Sequence, residues 1–140
     1  PYAVEPYVIR IKTYINLRME NKVLEVINEY RQINPDSDSM MYYEAKLKGL
    51  HGKYADAIAL LDNLLEKHNP DKTDMETPMK IFGLKAEYLT YLKNYDKALY
   101  NYDIIITNDP DNPVAYGKKS LLYQIKDDYN IKKGQGYRTL

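Results

Sequence analysis

Three short marks, Asn34-Pro35-Asp36, Asn69-Pro70-Asp71 and Asp109-Pro110-Asp111, cut this 140-residue chain into segments of helical period. Proline lacks an amide hydrogen and pushes the residue before it out of the helical region, so each mark predicts the end of a helix. The prolines stand 35 and 40 residues apart. Recurrence at roughly this interval is the signature of stacked helical hairpins, each of which buries its apolar face only against its neighbours.

Between the marks the apolar residues fall at helical spacing. Tyr7, Ile11, Tyr14 and Ile15 form one stripe, and Val23, Leu24, Ile27, Tyr30 and Ile33 form a second after the polar break Glu20-Asn21-Lys22. After the capping oxygens of Asp36 to Ser39, a helix through Met41, Ala45 and Leu50 ends at Gly52. Tyr54, Ala57, Ile58, Leu60, Leu61, Leu64 and Leu65 then make the most strongly amphipathic stretch. The segment from Asp71 to Pro78 is about six residues longer than the first junction, an insertion read as a solvated linker. A third hairpin places Met79, Phe82, Ala86, Leu89 and Leu92 before Tyr95, Ala98, Leu99, Tyr102, Ile105 and Ile106. Asn112-Pro113 opens one more helix through Leu121 to Ile125. The expected boundaries within a single domain, 1–140, are hairpins at about 7–34, 39–69 and 77–109, a capping helix at about 113–127, and 128–140 as a tail or truncated repeat.

Composition narrows the function classes. Lys plus Arg and Asp plus Glu balance at 20 each, so the field that would gather nucleic acid is missing. With no cysteine there is no thiolate nucleophile, disulfide or Cys-ligated zinc, and the compartment stays open with the cytoplasm slightly favoured. No apolar run reaches the roughly 20 residues of a membrane span. The N-terminal Pro1 to Pro6 carries no signal-peptide pattern, and the missing initiating Met suggests a processed or excised piece. Sixteen Tyr against one Phe and no Trp leave tyrosine to do the bulky packing.

Aligned on the second helix of each hairpin, Tyr54-Ala55-Asp56-Ala57 superposes on Tyr95-Asp96-Lys97-Ala98. With Phe82, Ala86, Leu89, Tyr102 and Pro110 in the third hairpin, and Met41, Ala45, Leu61 and Pro70 in the second, the chain resembles the tetratricopeptide repeat (TPR) family. The resemblance covers roughly residues 7 to 130. It implies an all-α, right-handed solenoid of antiparallel helical hairpins, about three repeats plus a C-terminal capping helix, with small residues letting the helices of each hairpin approach. The first hairpin departs from the pattern with Ile11 and Val23 at the small positions. The fourth keeps Tyr116, Ser120, Tyr123 and Tyr129 but has Lys132 at the small position of its second helix.

The resemblance also implies a function and a site. It makes the chain a protein-protein interaction module holding a peptide or helix of a partner in a concave groove lined by the first helix of each hairpin. The groove positions carry over to Lys12, Asn16, Tyr42, Lys46, Glu87, Tyr91, Gly117 and Leu121, whose mixed Lys, Asn and Tyr could clamp a backbone and one acidic group. Lys12 and Asn16 have the spacing of a chaperone carboxylate clamp, but they lie too near Val23 for that register, and Leu122 stands where an arginine is needed. His51 and His68 fall at helix ends, where capping is the expected role. No zinc motif, phosphate loop or nucleophile elbow is present, and Asp71, Asp74 and Glu76 lack the spacing of a calcium loop. The expectation is therefore no enzyme, no cofactor and no metal. Two alternatives remain: a self-associating scaffold using exposed tyrosines such as Tyr100 and Tyr137, or a docking or regulatory segment of a larger enzyme.

Overall fold

The computed structural model describes residues 3–75 and 78–133. These form seven α-helices and no strand: α1 (Glu5–Asn16), α2 (Glu20–Ile33), α3 (Asp38–Leu50), α4 (Tyr54–Lys67), α5 (Met79–Tyr91), α6 (Tyr95–Asn108) and α7 (Pro113–Lys133). The chain divides into two compact units, Pro1–Ile81 and Phe82–Leu140, the boundary falling in the first turn of α5. It is an all-α helical repeat.

The hairpin turns repeat in atomic detail. At the end of α1 the Met19 amide donates to the Tyr14 carbonyl at 2.8 Å and the Arg18 amide to Ile15 at 3.0 Å. At the end of α3, Lys53 donates to Lys48 at 3.0 Å and Gly52 to Gly49 at 3.0 Å; at the end of α5, Asn94 donates to Leu89 at 2.9 Å and Lys93 to Thr90 at 2.9 Å. Each is the paired motif that satisfies the last carbonyls of a helix by placing one residue in the left-handed region. Those residues are Arg18 (φ 57°), Gly52 (φ 74°) and Lys93 (φ 63°). The first break thus lies at 17–19, just ahead of the expected Glu20-Asn21-Lys22, which are helical.

Only Gly52 adopts this conformation without a Cβ penalty. Gly52→Ala should therefore destabilise the fold by about 1 kcal/mol, although no heavy atom lies within 4 Å of the added Cβ. Lys93→Gly should be neutral to stabilising by up to about 1 kcal/mol, the relieved strain being partly offset by unfolded-state entropy. Urea titrations of the two variants check both signs.

The other helix ends use the Asn/Asp-Pro-Asp marks. Asn34 and Asp109 leave the helical region with φ −135° and −141°, as a residue before proline must. The Asn34 and Asn69 side-chain oxygens accept the amides of Asp36 at 3.3 Å and Asp71 at 3.0 Å, turning the chain. Ser37 caps α3 by accepting the Met40 amide at 3.1 Å, and Asn112 caps α7 by accepting the Ala115 amide at 3.1 Å.

The core of each unit follows the repeat. Ala45 and Ala57 in the first unit, and Ala86 and Ala98 in the second, are completely buried. Ile11 and Val23 occupy the same positions in the first hairpin and are equally buried, so larger side chains there still fit. Ten positions into each second helix stand Tyr30, Leu64 and Ile105, all buried. Arg10–Glu29 at 3.1 Å ties α1 to α2, Arg31–Glu44 at 2.6 Å ties α2 to α3, and Lys67–Asp38 at 3.2 Å ties α4 to α3. His51 ends α3 and meets the Glu20 carboxylate, while His68 ends α4.

The last helix differs from the expected outline. α7 runs to Lys133 where the sequence reading stops the capping helix near 127 and starts a tail at 128. The helix continues through Asp127-Asp128-Tyr129: no Gly or Pro stands between Asp127 and Gly134, and Lys132 and Lys133 sit at the negative end of the helix dipole. Tyr129 packs edge-on to Tyr95 at 5.6 Å, beneath the ammonium groups of Lys93 and Lys133. Lys119–Asp103 at 2.5 Å and Lys126–Asp96 at 2.6 Å hold α7 to α6, and Ala115 and Leu122 are its buried residues. Tyr116, Ser120 and Tyr123, the repeat's packing positions, are exposed instead. In a complete hairpin a second helix would cover that face. The tail motif Gly134-Gln135-Gly136 and Tyr137 lie outside the described residues.

Candidate functional site

Two clefts gather most of the expected groove residues, one in each unit. The first has a volume of about 390 Å³ and lies between α1 and α3. Val8, Ile9 and Lys12 come from α1, Tyr42 and Tyr43 from α3, and Lys80 from the start of α5. Thr73, Asp74 and Met75 line it as well. Helical spacing puts Val8, Ile9 and Lys12 toward the cleft while Ile11 turns into the core. Tyr42 and Tyr43 meet edge to face with ring centroids 5.1 Å apart. Burial raises the Tyr43 phenol above its ordinary value, so that hydroxyl stays a neutral donor. Among the described residues neither Lys12 nor Lys80 pairs with a carboxylate, and the two ammonium groups share a mixed lining in which Glu5, Ser39, Thr73 and Asp74 stand beside the apolar Val8, Ile9 and Met75.

The second cleft, about 160 Å³, lies between α5 and α7 over Tyr102 of α6. Glu87, Thr90 and Tyr91 of α5 face Lys118, Leu121, Leu122 and Ile125 of α7. Its surface is mostly carbon. The Tyr91 hydroxyl donates to Glu87 at 3.5 Å, a long contact. A further hollow of about 200 Å³, lined by Gly83, Ile105, Asn112 and Val114, shares Glu87, Tyr102 and Lys118 with it. Tyr102 is 6% exposed, and its phenol is pushed up to about 12 by burial first and by Glu87 and Tyr91 second.

Of the eight expected groove residues, Lys12 and Tyr42 thus meet in the first cleft, and Glu87, Tyr91 and Leu121 in the second. Asn16 lies on the exposed end of α1, Lys46 is half-buried on α3, and Gly117 is exposed with open space around it. None of those three lines either cleft. The reading missed Val8, Ile9, Met75, Lys80 and Lys118. The insertion is not simply the solvated linker expected from the sequence: Asp74 is half-buried and hydrogen-bonded to Ser39 of α3. The one local signal was the extra length itself, carrying a carboxylate in an otherwise periodic chain; the serines it meets stand at the earlier junction before α3. Among the described residues no group of three His, Asp or Glu could hold a metal ion, and no helix is long and apolar enough to cross a membrane.

The arrangement of helices matches known structures. It is similar to the Arabidopsis OM64 TPR domain, with a TM-score of 0.65 at 14% identity over 87% of this chain and 95% of that one. The fold is tetratricopeptide-like. The TPR-like chain is also similar to PilW, a widely conserved type IV pilus biogenesis factor, with a TM-score of 0.72 at 21% identity. That match covers 93% of this chain and 60% of PilW. The TPR-like sequence matches no protein-family model and no curated protein sequence.

Proposed function

We propose that the chain is a protein-protein interaction module that receives an extended peptide or a partner helix on the first helices of its hairpins. The observation that carries this reading is the first cleft, where Lys12 and Tyr42, nominated from two different hairpins, line one cavity with Val8, Ile9 and Met75. Its volume suits one or two side chains, and its chemistry fits an apolar residue beside an acidic one, the acid meeting Lys12 or Lys80. The second cleft, with Glu87, Tyr91 and Leu121, offers an apolar slot with charges of both signs at its rim. The TPR-like fold supports a general interaction role.

Panning a random peptide display library against the chain tests this. Peptides pairing a Leu, Ile or Met with an Asp or Glu should be enriched, and Lys12→Glu should weaken the enriched peptide about tenfold or more. Tyr91→Ala measures what the second cleft adds. Binding unchanged in both variants, with unchanged circular dichroism, removes the groove assignment.

Self-association is a second reading, favoured by the exposed aromatic rings of Tyr116 and Tyr123 on α7 and Tyr100 on α6. Sedimentation at several concentrations decides it, since a strict monomer excludes a scaffold built from copies of the chain.

A further inference from the structure

We propose that Thr73, Asp74 and Met75 form a specificity-determining wall of the first cleft, with Asp74 as the positioning residue that fixes it. The proposal rests on the reading of that cleft as a peptide site. These residues belong to the extra segment between the second and third hairpins, which the repeat itself does not require. The segment nonetheless folds back onto the start of α3. The Asp74 carboxylate accepts the Ser39 amide at 2.8 Å and the Ser37 hydroxyl, and its backbone carbonyl accepts the Ser39 hydroxyl at 3.1 Å. Ser37 and Ser39 are 3% and 5% exposed, so water competes poorly for these bonds. Ser37 also holds the Met40 amide, joining the clasp to the helix cap. Thr73 tightens the segment by accepting the Met75 amide at 3.1 Å.

Two consequences for recognition follow. Asp74 spends its charge on the serines and on the positive end of the α3 dipole, so Glu5 is the one remaining carboxylate in the lining against the two ammonium groups of Lys12 and Lys80, a balance that still favours an acidic group of the ligand. Met75 adds a flexible, polarizable apolar surface to Val8 and Ile9, which suits an unbranched or γ-branched aliphatic side chain.

Trypsin cleavage after Lys72 reads the clasp without any ligand. Asp74→Ala should speed cleavage about tenfold, and Asp74→Asn, which keeps an acceptor for the Ser39 amide, should fall between it and the parent. Hydrogen exchange at Ser39 should follow the same order. Unchanged cleavage in Asp74→Ala overturns the positioning role. Panning the same peptide library on Met75→Ala, whose clasp is intact, reads specificity: the aliphatic preference should weaken while the acidic one persists. Identical peptides from parent, Met75→Ala and Asp74→Ala overturn the wall but leave the peptide site standing. No enrichment on the parent overturns the peptide site and, with it, the wall.

Discussion

Leu61→Ala should lower the free energy of unfolding by about 2–5 kcal/mol, seen as a fall in the urea midpoint at constant slope. Leu61 is 0% exposed at the centre of α4, one turn before Leu64, which is also buried, and the hairpin is closed by the small pair Ala45 and Ala57. Truncation removes apolar contacts and leaves a cavity that helices already packed at alanine distance cannot collapse to fill. Leu50, 51% exposed at the end of α3, is the control. Leu50→Ala should stay within about 0.5 kcal/mol. Equal effects of the two substitutions would mean that α4 does not carry the core of the first unit.

Alkaline pH should act through Tyr102. In the folded chain its phenol titrates at about 12 against an ordinary 10.0, because burial and the neighbouring Glu87 and Tyr91 disfavour the phenolate. Between those values the unfolded chain has released the proton and the folded chain still holds it, so stability falls as pH rises from 10 toward 12. The loss from this one group is about 2–3 kcal/mol by pH 12. Tyr102→Phe should flatten that part of the profile in urea titrations at stepped pH. Tyr30 and Tyr43, also raised by burial, leave a residual slope in the variant. A profile identical in the parent and Tyr102→Phe would place the alkaline loss elsewhere.

Helix ends and core positions were legible because they depend on local chemistry. Proline after Asn34, Asn69 and Asp109 stops a helix whatever surrounds it, and Ala45, Ala57, Ala86 and Ala98 announce close approach by their size. Arg18 and Lys93 were less legible: a left-handed residue is expected to be Gly, and only Gly52 carries that mark. The candidate site was legible only through the TPR resemblance, whose groove positions include Lys12, Tyr42, Glu87, Tyr91 and Leu121, residues that line clefts here. Asn16, Lys46 and Gly117 come from the same resemblance, yet cleft walls depend on neighbouring segments that a repeat pattern does not report. Asp74 was misread because its partners, Ser37 and Ser39, lie more than 30 residues away in sequence. For α7, the repeat pattern puts Lys132 in a second helix, but neither Asp127 nor Asp128 breaks a helix and α7 runs through them.

The exposed tyrosine face of α7 offers a place at which the second unit can be extended by design. Tyr116, Ser120 and Tyr123 stand where a hairpin's own second helix would seat. A turn built after Ile125, followed by a copy of Tyr95 to Asn108, would supply that helix and convert a hydrated tyrosine surface into interior. Because a repeat array gains stability one interface at a time, such an extension should raise cooperativity without altering either cleft.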